Sequence, residues 1–455
     1  VFLFLKCITL RFWVFLAVVL ALAFLGFLLG VLVSRHAGGV SLLGVPEGSA
    51  SPTSGHSPAR DAPGIVSINA VRPDAPELAR LQRAGVGVRT MEFINPDQLD
   101  VEALIRGVGE ARSDRPLPVE IWYPATGEGQ GSLYEVTGRD GNPLTLRGSA
   151  RRDAPADYSR GPFPLVILSH GYPGSRFLLS HFGEFLAGIG YVVVSIDHTG
   201  STYTDQGSFA GTLRNRPLDQ NFVLHEVDRL SREGAGTFLE GLVDPERTGI
   251  IGYSMGGYGV LNALGAGLSD AVLEADFAPP GALQDRLASF PGYSETVDPR
   301  VRAAVVIAPW GVQVGLWDAP ALEKIRVPLF FMAGTADSVS GYDEGPRAAF
   351  LGTRGTSRYL LSYEQAGHAV AAPFSVPAEV WAGRSGFGHY ADPLWDTLQM
   401  NNIAHHFVAA FFGEILKGDP SMARFLRHRS GQEETRELQL PRGTRLEFLR
   451  EGEEG

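Results

Sequence analysis

"TGIIGYSMGGYGV", residues 248–260, decides how this chain folds. A short apolar run ends at Tyr253, Ser254 follows, and a small-residue segment with helical spacing begins at Met255. Ser254 stands between Gly252 and Gly256 in the pattern G-x-S-x-G. With 56 glycines among 455 residues, that pattern arises by chance in roughly one such chain in two, so its surroundings carry the meaning. In a nucleophile elbow the serine occupies a sharp strand-to-helix turn, and only small residues two positions to either side let strand and helix approach. Gly252 and Gly256 meet that demand, and Gly257 adds room. The helix that follows aims its free N–H groups at the same corner, where developing negative charge is stabilised.

The stretches on either side repeat the strand-then-helix rhythm. Apolar runs at 164–170, 191–198, 247–254, 301–309, 327–334 and 357–365 read as strands. Helical segments are expected at 176–190, 216–233 and 255–267. Uninterrupted Val/Ile/Leu strands alternating with helices indicate a mostly parallel sheet covered on both faces. Earlier, 86–94 and 117–125 alternate like strands, and the polar "GRDGNP" at 138–143 marks a hairpin-like turn. The segment 267–300 interrupts the rhythm and is a candidate cap over the site.

A serine hydroxyl is a weak nucleophile until a base takes its proton, and the base needs an acid to fix its tautomer. Two later stretches supply both. "FFMAGTADSVSG" places Asp337 just past one strand, and "LSYEQAGHAV" places His368 just past the next. The chain order Ser, Asp, His is that of an α/β-hydrolase, and each residue falls at the C-terminal end of a strand, where open α/β sheets hold their sites. The oxyanion of acyl transfer needs two donors. The N–H of Met255 is one candidate, and the N–H of Tyr172 in "SHGYPGSR" the other, since Pro173 cannot donate. His170 and His198 also follow strands but precede Ser254, which suits loop hydrogen bonding or pocket lining. His389, His405 and His406 lie late in the chain, and the adjacent pair points to different helix faces, so a shared metal is not expected. Trp310, Tyr203 and Trp317 are candidates for an apolar substrate pocket. The chemistry calls for no metal and no organic cofactor.

Composition bounds the alternatives. A net charge of −11, with no Lys/Arg-rich run, argues against a nucleic-acid partner. The one cysteine, Cys7, excludes a disulfide framework within the chain. Phe12–Val33 is uncharged and as long as a helix across a hydrocarbon core of about 30 Å. Residues 1–35 are therefore expected to be an uncleaved signal anchor, which puts the body of the protein on the far side of a membrane, or outside the cell if the segment is cut. Residues 36–65 are rich in Gly, Pro and Ser and read as a linker. The catalytic domain is expected over 66–428, with a charged tail at 429–455.

With these pieces placed, residues 85–418 resemble the serine α/β-hydrolases of the platelet-activating-factor acetylhydrolase-like and dienelactone-hydrolase-like group, and more distantly bacterial polyesterases and lipases. The resemblance rests on "VEIWYPA", "PLVILSHGYPGSR", "YVVVSIDHTGSTY", "GIIGYSMGG", "AGTAD" and "AGHA". It implies an α/β-hydrolase fold and a carboxylic ester hydrolase acting on a small or lipid-like ester through Ser254, Asp337 and His368. Two departures stand out. Dienelactone hydrolases use a cysteine where this elbow has Ser254. The acetylhydrolases carry their acid after the preceding strand, where this chain has Ala308 and Pro309, which leaves Asp337, with Asp318 and Asp343 as substitutes. The same three residues also suit an acyltransferase or an amidase, and a tethered binding protein on a hydrolase scaffold is the non-catalytic alternative.

Overall fold

A computed structural model describes residues 67–81, 84–383, 386–426 and 440–455, all within the compact unit Ala62–Gly455. The apolar run 12–33 and the linker 36–65 lie outside the described residues. Among the described residues, no helix is long and apolar enough to cross a membrane.

The strands are β1 (Val86–Leu99), β2 (Arg112–Pro124), β3 (Leu133–Thr137), β4 (Pro143–Arg147), β5 (Arg151–Arg152), β6 (Phe163–Ser169), β7 (Val192–Ile196), β8 (Val243–Tyr253), β9 (Val301–Ile307), β10 (Leu329–Gly334), β11 (Arg358–Tyr363) and β12 (Thr444–Leu449). Ten of them form one sheet in the order β12-β11-β10-β9-β8-β6-β7-β2-β1-β5, and β3 pairs with β4 as a separate hairpin. From β11 to β7 every neighbouring pair is parallel. Antiparallel β2 and β12 flank that block. Each central strand buries both faces, so alternate residues enter different cores: Ile251, Val305 and Met332 on one side, Ile250, Val306 and Phe331 on the other. This is why the central strands show unbroken apolar runs.

Four longer helices cover the faces: α1 (Ser180–Gly188), α2 (Phe209–Ser231), α3 (Met255–Ala263) and α4 (Thr397–Ile415). Residues of α1 and α4 join the first core, those of α2 and α3 the second. The segment expected to become helical at Arg216 starts at Phe209 instead. Ser208 caps it by accepting the Gly211 N–H at 3.0 Å, and burial of Ala210 and Leu213 carries the helix through that first turn.

Two boundaries differ from expectation. Residues 444–449, expected within a charged tail, form β12 against β11, because Leu446 and Phe448 have apolar neighbours and Phe448 meets the Tyr359 ring at 4.6 Å. The segment 267–300 forms short 3₁₀ turns beside α2 and α3, tied by Arg214 to Asp285 and by Tyr293 Oη donating to the Asn262 carbonyl at 2.7 Å. None of its residues lines the cavity at Ser254.

Candidate active site

Ser254 joins β8 to α3 with φ 53° and ψ −114°, a conformation that costs a non-glycine residue energy. The neighbouring glycines follow from sterics. A Cβ on Gly252 would collide with the Gly256 carbonyl, and one on Gly256 with the Ser169 carbonyl. On Gly257 it would sit 3.0 Å from Pro309 Cβ. The corner is held from β9: the Ser254 N–H donates to the Ile307 carbonyl at 2.9 Å, and the Trp310 N–H donates back to the Ser254 carbonyl at 3.3 Å.

Loops after β10 and β11 bring Asp337 and His368 to the same corner. His368 Nε2 lies 3.0 Å from Ser254 Oγ, and Nδ1 lies 2.9 Å from Asp337 Oδ2. A carboxylate only accepts, so Nδ1 carries the proton and Nε2 is left to accept from the serine hydroxyl. The other Asp337 oxygen accepts the N–H groups of Val339 and Ser340 at 2.8 and 2.9 Å. Burial acts to raise the Asp337 pKa, but the bonds from His368, Ser340 and Val339 outweigh it and hold the carboxyl below its ordinary range. Asp318 instead caps a short helix by accepting the Ala321 N–H, and Asp343 starts a single turn after Tyr342. The His368 loop is itself pinned by Asp392, which accepts the N–H groups of Gly367, Leu394 and Trp395 at 2.6, 2.9 and 2.9 Å.

The turn 169–172 after β6 approaches from the other side. Met255 opens α3, where a backbone N–H has no intrahelical acceptor, and Tyr172 lines the cavity with Ser254. The turn rests on a buried polar network. Arg216 of α2 donates to the His170 carbonyl, to the Gly171 carbonyl at 2.9 Å and to Ser201 Oγ at 2.6 Å. Burial pulls this guanidinium down to about 9, with Asp219 acting in the opposite direction, so it stays cationic at neutral pH. Asp219 is paired with Arg115 at 2.7 and 2.8 Å and accepts from His198 Nδ1 at 2.8 Å. His198 Nε2 then accepts from Ser169 Oγ, 2.8 Å away. Burial holds His198 down to about 4, and Arg115 already compensates the Asp219 charge, so the imidazole is neutral.

The cavity at Ser254 has a volume of about 510 Å³. Tyr172, Pro173, Tyr253, Val339 and Phe387 give it apolar walls, while Arg139 and His389 supply polar groups.

Residues 147–277, which contain the elbow and the turn after β6, match the family model of PET hydrolase-like proteins. Over that stretch the chain resembles serine α/β-hydrolases, and the match supports a carboxylic ester hydrolase. Among solved structures, the ferulic acid esterase from Streptomyces cinnamoneus is similar to this hydrolase at 23% identity and a TM-score of 0.53, covering 75% of this chain and 92% of its own. At that identity the likeness is one of fold. No curated protein matches the chain.

The hydrolase arranges its aromatic residues differently from expectation. Trp317 is a core residue, stacked on Tyr258 at 5.4 Å with its indole N–H donated to the Ala266 carbonyl at 2.8 Å. The Trp310 ring packs edge-on against Phe209 at 5.6 Å and does not line the cavity. Tyr203 stands behind the wall, with Oη 2.6 Å from His389 Nε2. In the adjacent pair, His405 Nε2 lies 2.9 Å from His181 Nδ1, whereas His406 Nδ1 accepts the Leu78 N–H at 3.1 Å. Three participants escaped the sequence reading: Arg139, Phe387 and Arg216. Arg139 and Phe387 reach the cavity from a remote hairpin and a late loop. They lack a local signal of the kind that Gly252 and Gly256 give Ser254.

Proposed function

We propose that Ser254 is the nucleophile of this ester hydrolase, with His368 as general base and Asp337 as the acid that orients it. The support is the hydrogen-bond relay from Ser254 Oγ through His368 to Asp337, at 3.0 and 2.9 Å. His368 Nε2 takes the hydroxyl proton as Oγ attacks the ester carbonyl. The Nδ1 proton stays on the imidazolium, stabilised by the Asp337 carboxylate. The N–H groups of Met255 and Tyr172 face the oxyanion, and Arg216 holds the second of these turns by its carbonyls. His368 returns its proton to the departing alkoxide, an alcohol leaves, and water activated by the same nitrogen releases the acid from Ser254. The names of the two similar groups, a PET hydrolase and a ferulic acid esterase, favour an ester of an aromatic acid, and Tyr172, Tyr253 and Phe387 offer flat walls for one.

The test is a series of 4-nitrophenyl esters, acetate to palmitate plus benzoate, assayed with the full chain and with Ser254→Ala. Loss of the nucleophile is expected to lower kcat by roughly 10⁴- to 10⁶-fold. A Ser254→Ala protein that keeps its activity overturns the assignment.

A further inference from the structure

Arg139 stands on the turn between β3 and β4 and lines the cavity that holds Ser254 and His368. Two hydrogen bonds place it. Its backbone N–H donates to Tyr390 Oη at 3.0 Å, and Nη1 lies 3.1 Å from His389 Nδ1. A guanidinium only donates, so His389 Nδ1 accepts and the ring proton sits on Nε2, facing Tyr203 Oη at 2.6 Å. Burial first, and then the charge of Arg139, hold the His389 pKa down to about 3. The side chain that positions the cation is thus a neutral ring.

Several better-buried arginines are compensated in another way, Arg216 and Arg358 by backbone carbonyls. Arg115, Arg176, Arg214 and Arg300 each meet an aspartate or glutamate. Among the described residues no carboxylate pairs with Arg139, and no Asp or Glu lines the cavity. The protein as a whole is acidic, with a net charge of −11, and the exposed Arg139 is the one Lys or Arg among the described residues that line this cavity. The guanidinium retains N–H donors in a planar fork, the geometry that takes a carboxylate through two bonds. Phe387 lies along the same wall.

We infer that Arg139 forms a carboxylate-binding subsite, and that the ester this hydrolase cleaves carries a free carboxylate beyond its scissile bond. The inference rests on the reading of Ser254 as nucleophile in this same cavity. It narrows the substrate class to monoesters of dicarboxylic acids and related carboxylate-bearing esters.

The experiment compares mono-4-nitrophenyl esters of succinate, glutarate and adipate with the neutral butanoate, pentanoate and hexanoate of matched length. The full-length protein is assayed beside Arg139→Gln, Arg139→Lys and Ser254→Ala. For the best-matched pair, the ratio of kcat/KM for the anionic ester over the neutral one is expected to be roughly 10 to 100 in the parent protein. It should fall as salt is raised, drop toward one in Arg139→Gln, and be partly kept in Arg139→Lys. Each ratio is taken within one protein, so partial loss of folded enzyme cancels. A parent that cleaves the neutral esters with no anionic preference, or a preference untouched by Arg139→Gln, overturns the subsite while leaving Ser254 in place. A parent that cleaves none of these esters, or a Ser254→Ala protein as active as the parent, overturns the nucleophile assignment and this inference with it.

Discussion

Gly256 shows how much one missing methyl group decides. Its Cβ position is occupied by the Ser169 carbonyl oxygen, so β6 and α3 approach closely only because residue 256 has no side chain. Gly256→Ala pushes α3 away from the turn that carries Tyr172. The expected cost is about 1–3 kcal/mol of stability, as for other overpacked sites, read from the urea midpoint, together with a fall in esterase kcat. An alanine variant with parental midpoint and kcat removes the steric account. Arg216 acts on the same turn from the opposite side, through the carbonyls of His170 and Gly171. Nothing in the local sequence "LRNRPLDQ" marks it, because those two carbonyls lie more than forty positions away. The elbow glycines were legible for the converse reason: strand, serine and helix are consecutive.

At the scale of elements, β12 is the informative case. Charged residues at 433–436 and 442–447 give that end of the chain the look of a tail, yet Thr444–Leu449 completes the sheet beside β11. The pairing also satisfies a buried cation. Arg358, on β11, donates to the carbonyls of Phe350 at 2.7 Å, Arg450 at 3.0 Å and Glu453 at 2.7 Å. Burial acts to lower its pKa, and carbonyl partners are what make the buried position tolerable. A chain ending at residue 439 exposes the edge of β11 and leaves Arg358 without two acceptors. Each buried unsatisfied donor costs about 1–3 kcal/mol, so the truncated protein is expected to unfold several degrees lower in a thermal melt. An unchanged melting temperature refutes the role given to β12. The strand was hard to see in sequence because an edge strand with one neighbour shows weak alternation rather than an unbroken apolar run.

For the whole molecule, buried neutral histidines set the response to acid. His181, His198 and His406 are held down to about 4, and His170 well below its ordinary value, in each case chiefly by burial. Unfolding returns these rings to about 6.5, so between roughly pH 6.5 and 4 the unfolded chain binds protons that the folded protein excludes. Stability is therefore fully present above about pH 6.5 and is lost as pH falls through that window. The slope is up to about 1.4 kcal/mol per pH unit for each ring. Asp219 belongs to a lower window: its folded pKa is held near 2, despite burial, by Arg115 and His198, so its contribution is present above about 3.8 and disappears below. Urea midpoints at pH 7.0, 5.5 and 4.5 should decline steadily. A flat profile across that range contradicts neutral burial of these rings.

The sequence by itself determined the parallel sheet, the elbow at Ser254 and the order in which Asp337 and His368 follow it. Those features are written in contiguous apolar runs and in small residues at adjacent positions, where local sterics act. Only the tertiary structure decided what lies around the elbow. It placed Trp317 in the core, moved Tyr203 behind His389, left 267–300 off the cavity and brought Arg139 and Phe387 to its wall. Those outcomes depend on which loops converge at the ends of β8, β10 and β11 and on hydrogen bonds between residues some two hundred and fifty positions apart, such as Arg139 and His389. Contacts of that span have no periodicity and no fixed spacing along the chain, so they become visible only when the sheet has assembled and its loops meet.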